Sequence, residues 1–123
     1  MRTEISRTFR FEAAHRLPNL PDVHKCFRLH GHSFRATVVV GGDVDPHLGW
    51  IVDFAALDEA WKPLHDLLDH RYLNEVAGLE NPTSEHIARF VLERFRVAGA
   101  RVLRVTVRET CTAACTVHAG SQR

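Results

Sequence analysis

His30-Gly31-His32-Ser33-Phe34-Arg35-Ala36-Thr37-Val38-Val39-Val40 is the stretch whose reading decides the fold. From about His32 to Val40 it alternates as a strand does, with Phe34, Ala36, Val38 and Val40 on one face and Arg35, Thr37 and Val39 on the other. Side chains two apart on a strand project to the same side, so His30 and His32 converge without help from a turn. Upstream, Ile5, Phe9, Phe11, Ala13 and His15 share odd parity, with Arg10 and Glu12 between them. That is a second strand, and His15 lies on its apolar face.

Helical periodicity follows the turn Gly41-Gly42-Asp43-Val44-Asp45-Pro46. Asp53 caps a helix whose apolar stripe is Phe54, Leu57, Trp61, Leu64 and Leu68. Pro63 inside that stripe is expected to kink the helix or divide it. A second helix follows Asn81-Pro82-Thr83-Ser84, where Thr83 or Ser84 caps it; its stripe is Ile87, Phe90, Val91 and Phe95, ending near Gly99. Alternation returns from Arg101 to Glu109, with Glu109 on the apolar parity of Leu103, Val105 and Val107, and a short strand spans Ala114–His118. The order β-β-α-α-β-β predicts an α+β fold, a mainly antiparallel sheet with two helices on one face. Residues 1–123 are expected to form a single domain. The uncovered sheet face is expected to need a partner, because His15, His30 and His32 lie among apolar neighbours; oligomerisation supplies one cheaply.

Composition narrows the function. The chain has 123 residues, and its net charge of +1 draws it neither to nucleic acid nor to a membrane surface. A single Tyr and no basic aromatic stretch argue further against nucleic acid. No run of about 18 apolar residues exists, and the first residues carry no apolar signal core, so the cytoplasm is the expected location. The balance hides segregation: residues 1–35 carry seven basic and three acidic groups, residues 36–85 two and ten, residues 86–123 seven and two. A local basic, histidine-rich site for an anionic small molecule fits that pattern.

Nine histidines are the anomaly, four of them within the first 32 residues. His15 can add a third nitrogen to the His30/His32 pair by cross-strand approach. Three imidazoles with an open fourth corner make a catalytic-type zinc site; the plainer alternative is core histidines bonded to backbone. Cys26 lies four residues before His30, between Lys25 and Arg28. Spacing alone leaves it a thiolate base or nucleophile, an inert loop cysteine, or a fourth zinc ligand. Asp69-His70 is a carboxylate beside an imidazole, a general acid/base pair if the two face each other. Glu109, a carboxylate on apolar parity at a strand end, is paired with an Arg or left for a ligand such as a 2-amino-4-oxopyrimidine edge. Cys111 and Cys115 match no metal spacing and read as small buried residues.

Together these pieces resemble the 6-pyruvoyl-tetrahydropterin synthase family, and specifically its bacterial branch forming 6-carboxy-5,6,7,8-tetrahydropterin in queuosine biosynthesis. The matching stretches are Phe11-Glu12-Ala13-Ala14-His15-Arg16-Leu17, His24-Lys25-Cys26 through His30-Gly31-His32-Ser33-Phe34, Gly49-Trp50-Ile51-Val52-Asp53-Phe54, Leu68-Asp69-His70, Tyr72-Leu73-Asn74, Glu80-Asn81-Pro82-Thr83-Ser84-Glu85 and Glu109-Thr110-Cys111-Thr112. The C-x3-H-G-H spacing looks like the carboxy-forming branch.

The resemblance implies that His15, His30 and His32 bind zinc, that Cys26 is the catalytic thiol, and that Asp69 and His70 complete the proton-transfer group. It implies Glu109 as the pterin anchor, with Thr83 and Ser84 lining the pterin pocket. The implied architecture is the tunnelling fold, in which sheets close into a barrel in trimers and two trimers pair into a hexamer with sites between subunits. The implied reaction converts 7,8-dihydroneopterin triphosphate to 6-carboxy-5,6,7,8-tetrahydropterin, acetaldehyde and triphosphate. Several negative charges need cations nearby, so Lys25, Arg28 and Arg16 are the candidates for the triphosphate. His24, His47, His65, His86 and His118 match no carried-over role and read as surface or structural. Two alternatives stay open: pyruvoyl-tetrahydropterin formation on the same substrate, and a non-catalytic zinc-binding assembly module, which predicts a fourth protein ligand.

Overall fold

Two long strands form the spine of the molecule, whose computed structural model describes residues 2–120. β1 (Arg2–His15) and β2 (His30–Asp43) pair antiparallel over their whole length, with Phe11 opposite Phe34 and His15 opposite His30. β4 (Arg101–Arg108) adds to β2 and β5 (Cys115–His118) adds to β4, both antiparallel. The two-residue β3 (Arg71–Tyr72) runs parallel to β1 beside Ala13 and Ala14, so the sheet order is β3-β1-β2-β4-β5. This fragment has no alternating pattern to announce it and was not foreseen.

Helices α1 (Phe54–Leu68) and α2 (Ser84–Arg94) cover one face of the sheet. Asp53 caps α1 by accepting from the Ala55 amide, and Thr83 caps α2 by accepting from the His86 amide. The stripe residues Leu57, Trp61, Leu64 and Leu68 meet Phe9, Phe11 and Phe34 in a single core. Phe9 stacks on Trp61 at 4.7 Å and Phe11 on Phe34 at 5.0 Å, ring centroid to centroid. Burying each such ring contributes about 2–3 kcal/mol, which pins the register: a one-residue slip would turn every one of them to water.

Several expectations are corrected. Pro63 does not divide α1, which runs through it from Phe54 to Leu68. Pro63 and Glu59 are both exposed residues, so the carbonyl that loses its partner belongs to the solvent side of the helix. Phe54 is not buried with the stripe; it is 47% exposed with the Arg7 guanidinium over its ring. α2 ends at Arg94, five residues before Gly99, because Phe95 leaves the helix to bury its ring beside Phe9. β4 stops at Arg108, leaving Glu109 just past the ladder. Cys111 is exposed and Cys115 half-buried, against the expectation that both are interior.

The histidines also sit on the other side from the one that motivated a partner. His15, His30 and His32 share the face of Phe34, which the helices cover. The open face is polar: Thr8 bonds Thr37, Thr106 bonds Thr116 and Arg104 bonds Glu4. Alternation was read correctly, but apolar parity marks the helix side alone. No helix among the described residues is long and apolar enough to cross a membrane.

Candidate active site

Antiparallel pairing sets His15 directly across from His30, and the two-residue repeat places His32 beside them. The three ring centroids form a near-equilateral triangle with sides of 4.6, 5.0 and 5.2 Å. One nitrogen from each ring lies within 4.8 Å of the others. Backbone carbonyls decide which nitrogens those are. The Nδ1–H of His15 donates to the Pro82 carbonyl at 2.8 Å, and that of His30 to the Arg28 carbonyl at 2.7 Å. Each ring is thereby held with Nε2 bare as an acceptor, the arrangement of a metal-ligating histidine.

His15 is 1% exposed, and its Nε2 is a buried polar atom without a hydrogen bond. Burial holds the ring's pKa below the ordinary imidazole value, against the opposing pull of the Pro82 carbonyl and Glu109. A neutral, orphaned acceptor facing two more imidazoles fits a divalent cation better than it fits a hydrophobic core. Among the described residues the grouping comprises these three histidines.

Around the triad opens a cavity of about 440 Å³ lined by His15, Leu17, Lys25, Cys26, His32 and Glu109, among others. Glu109 Oε1 approaches His15 Nε2 at 3.3 Å. Cys26 is positioned by its backbone: its carbonyl accepts from the Leu17 amide at 2.8 Å, and its amide donates to His24 Nδ1 at 3.1 Å. His24 is the N-cap of the short 3-10 turn Lys25–Phe27.

Asp69 and His70 lie elsewhere, at the C-terminal end of α1. Asp69 Oδ1 accepts from the Glu12 amide at 2.9 Å, and Oδ2 meets His70 Nδ1 at 2.7 Å. His70 has φ of 56°, the left-handed region common just past a helix end. The Glu12 amide, then His70, hold Asp69 below the usual carboxylate range; the Asp69 hydrogen bond raises His70 above the ordinary imidazole value. His70 is 79% exposed and lines a second cavity of about 590 Å³ with Glu12, Ser33, Arg71, Tyr72 and His32, the last of which also lines the first.

Residues 4–120 match the family model for 6-pyruvoyl tetrahydropterin synthase. The chain belongs to that family. It is 46% identical to the 6-carboxy-5,6,7,8-tetrahydropterin synthase of Synechocystis, over 89% of this chain and 88% of the relative. It is 35% identical to the dihydroneopterin monophosphate aldolase of Pyrococcus furiosus, over 78% and 77%. The solved 6-pyruvoyl tetrahydropterin synthase of Caenorhabditis elegans superposes with a TM-score of 0.84 at 28% identity, covering 96% of each chain. The chain is therefore an enzyme of the pterin-synthase family and shares its fold.

Not every sequence candidate joins the cavity. Thr83 caps α2, and Ser84 begins it; neither lines the cavity, and it is the preceding Pro82 carbonyl that touches the triad. Lys25 lines the cavity, whereas Arg28 is exposed and acts there through its carbonyl. Arg16 lies over the Phe27 ring at 4.5 Å and donates to the Phe27 carbonyl, so it braces the 3-10 turn.

Sequence reasoning missed the clasp of Asn74, whose side chain accepts from the Arg16 amide and donates to the Arg16 carbonyl, holding the chain as it leaves β1. Asn74 ends the quoted Tyr72-Leu73-Asn74 stretch, which was the available signal. His65 was also passed over; its Nε2 lies 3.4 Å from Asp69 Oδ2, one helical turn upstream.

Proposed function

We propose that this enzyme is a zinc-dependent lyase converting 7,8-dihydroneopterin triphosphate and one water to 6-carboxy-5,6,7,8-tetrahydropterin, acetaldehyde and triphosphate, a step toward queuosine and related 7-deazapurines. The observation that carries the reading is the bare, buried Nε2 of His15 facing two further imidazoles. The 46% identity to a 6-carboxy-5,6,7,8-tetrahydropterin synthase supports this branch over the pyruvoyl-forming one.

In this reading His15, His30 and His32 hold the zinc, which when bound supplies a Lewis acid toward a side-chain oxygen of the substrate. The Glu109 carboxylate accepts two parallel N–H donors from the pterin edge and orients the ring. Cys26, fixed by the Leu17 amide and by His24, exchanges a proton with a side-chain carbon. His70, kept proton-loaded by Asp69, is the complementary acid. Lys25 faces the substrate's negative charge; Thr83 and Ser84 act through the α2 cap that presents the Pro82 carbonyl.

Within one chain His70 stands apart from His15, His30, Cys26 and Glu109, lining a cavity that meets theirs only at His32. That separation supports an active site completed between copies, in a barrel-closed trimer paired into a hexamer. We take residues 1–123 as one domain working in the cytoplasm.

The test is incubation of purified protein with dihydroneopterin triphosphate, with and without chelator, following acetaldehyde and pterin products by mass spectrometry. Acetaldehyde released one-for-one with the carboxy product, and abolished by metal removal, is expected. A pyruvoyl product without acetaldehyde moves the chain to the other branch, and full turnover after verified metal removal ends the zinc mechanism. Glu109→Ala is expected to lose pterin binding while retaining metal.

A further inference from the structure

The open face of the sheet carries a feature that the reaction leaves unused. Strand register places Arg10 opposite Arg35, and Arg35 opposite Arg108, so three guanidiniums stand side by side across β1, β2 and β4. Directly opposed like charges destabilise a sheet unless something neutralises them. Elsewhere on this face the chain does so itself, pairing Arg104 with Glu4 at 2.9 Å. Along the row it does not. Arg35 and Arg108 show no acceptor among the described residues, and Arg10 has only Glu12 at 3.9 Å, whose other oxygen already accepts from Ser33.

Among the described residues the neighbouring rungs add hydroxyl and cationic groups, with Glu12, opposite Ser33, the one acid. On one side lie Thr8, Thr37, Thr106 and Thr116 in register, with hydroxyl groups on this face. On the other lie Ser33 and the cavity that holds His70 and Arg71. The row crosses two strand spacings, about 10 Å, which is longer than one phosphate and matches a few linked ones.

We propose that Arg10, Arg35 and Arg108 form a binding row for a short polyphosphate chain. Planar guanidiniums grip phosphate oxygens in pairs, and a flexible chain of linked phosphates engages all three where a single ion cannot. The ligand's source is either the phosphate tail of a substrate or free polyphosphate; both present the same chemistry to the row.

The experiment is calorimetric titration of the intact protein with sodium tripolyphosphate and with orthophosphate at matched ionic strength. Tripolyphosphate is expected to bind at least about tenfold more tightly than orthophosphate, and Arg35→Gln to weaken it by about tenfold or more, the loss of one charge-assisted pair. Lys62→Gln, on the exposed side of α1 and paired with Glu59, is expected to bind as the parent does.

Thermal melting guards against a folding artefact. Without polyanion, Arg35→Gln should melt no lower than the parent, since it relieves repulsion, and tripolyphosphate should raise the parent's Tm but not the variant's. Equal binding by Arg35→Gln and the parent overturns the proposal, as does an equal loss of binding in Lys62→Gln or an affinity that follows ionic strength regardless of the anion. The source is read from kinetics. A KM raised by Arg35→Gln only for a triphosphate-bearing substrate assigns the row to the tail, whereas unchanged KM with lost tripolyphosphate binding assigns it to free polyphosphate. None of the binding arms depends on turnover, so failure of the lyase reading leaves them standing.

Discussion

Two histidine settings in this small chain are opposites. In the triad, backbone carbonyls of Pro82 and Arg28 occupy Nδ1 of His15 and His30, and burial keeps His15 neutral. At the end of α1, a carboxylate occupies Nδ1 of His70, the ring is exposed, and its charged form is favoured. A carbonyl partner with burial yields a ligand; a carboxylate partner in water yields a proton store. The side chain is the same in both places. What differs is the acceptor behind it: a backbone carbonyl for His15 and His30, a side-chain carboxylate for His70.

The contrast breaks first at the triad. His30→Ala should lower metal affinity by more than about a hundredfold, since even outer partners of metal ligands are worth 10–100-fold. Turnover should fall to background with it, as metal content by mass spectrometry and an activity assay would reveal. Retention of stoichiometric metal would refute the ligand role. Cys26→Ala should leave metal content intact and slow turnover by about 10²–10⁴-fold, the usual worth of a positioned proton-transfer group. Parent-like rates would return Cys26 to an inert loop cysteine.

Asp69→Asn sharpens the other half. His70 should titrate lower, back toward 6.5, when its imidazole resonances are followed by NMR. The sign follows from linkage: a raised imidazole pKa adds stability fully present below 6.5 and lost as pH climbs through the folded-state value. The variant should lack that contribution, and His70 should hold less charge near neutrality. An unmoved His70 titration would dissolve the contrast.

Smaller effects test the scaffolding. Asn74→Ala removes two hydrogen bonds to the Arg16 backbone and should cost about 1–3 kcal/mol in denaturant unfolding. Thr83→Ala removes the α2 cap and should cost about 1 kcal/mol, with only a modest loss of metal affinity through the nearby Pro82 carbonyl. If Thr83→Ala instead abolished pterin binding with stability intact, Thr83 would be a pocket residue rather than a cap.

Much of this was legible from local pattern. The odd parity that carries Phe9, Phe11 and His15, and the i, i+2 spacing of His30 and His32, are backbone geometry written directly in sequence, and register then follows from burying the rings. Asp53 and Thr83 were readable as caps for the same reason, since capping is a contact between near neighbours. Pro63 misled because its penalty depends on whether the orphaned carbonyl meets protein or water. Phe95 misled because a buried ring beside Phe9 outweighed another turn of helix.

Sequence alone determined which imidazoles share a strand face, that a thiol and a carboxylate accompany them, and the family to which their pattern is similar. Tertiary structure decided which nitrogen His15 leaves bare, because its acceptor is the Pro82 carbonyl, 67 residues away, whereas His30 finds its acceptor two residues off at Arg28. It also decided that His70 opens onto a cavity shared with His32 but not with His15, His30 or Cys26, and that three arginines scattered along the chain stand abreast. Periodicity records where a side chain points relative to its own backbone; what it meets there depends on chain brought close only by folding.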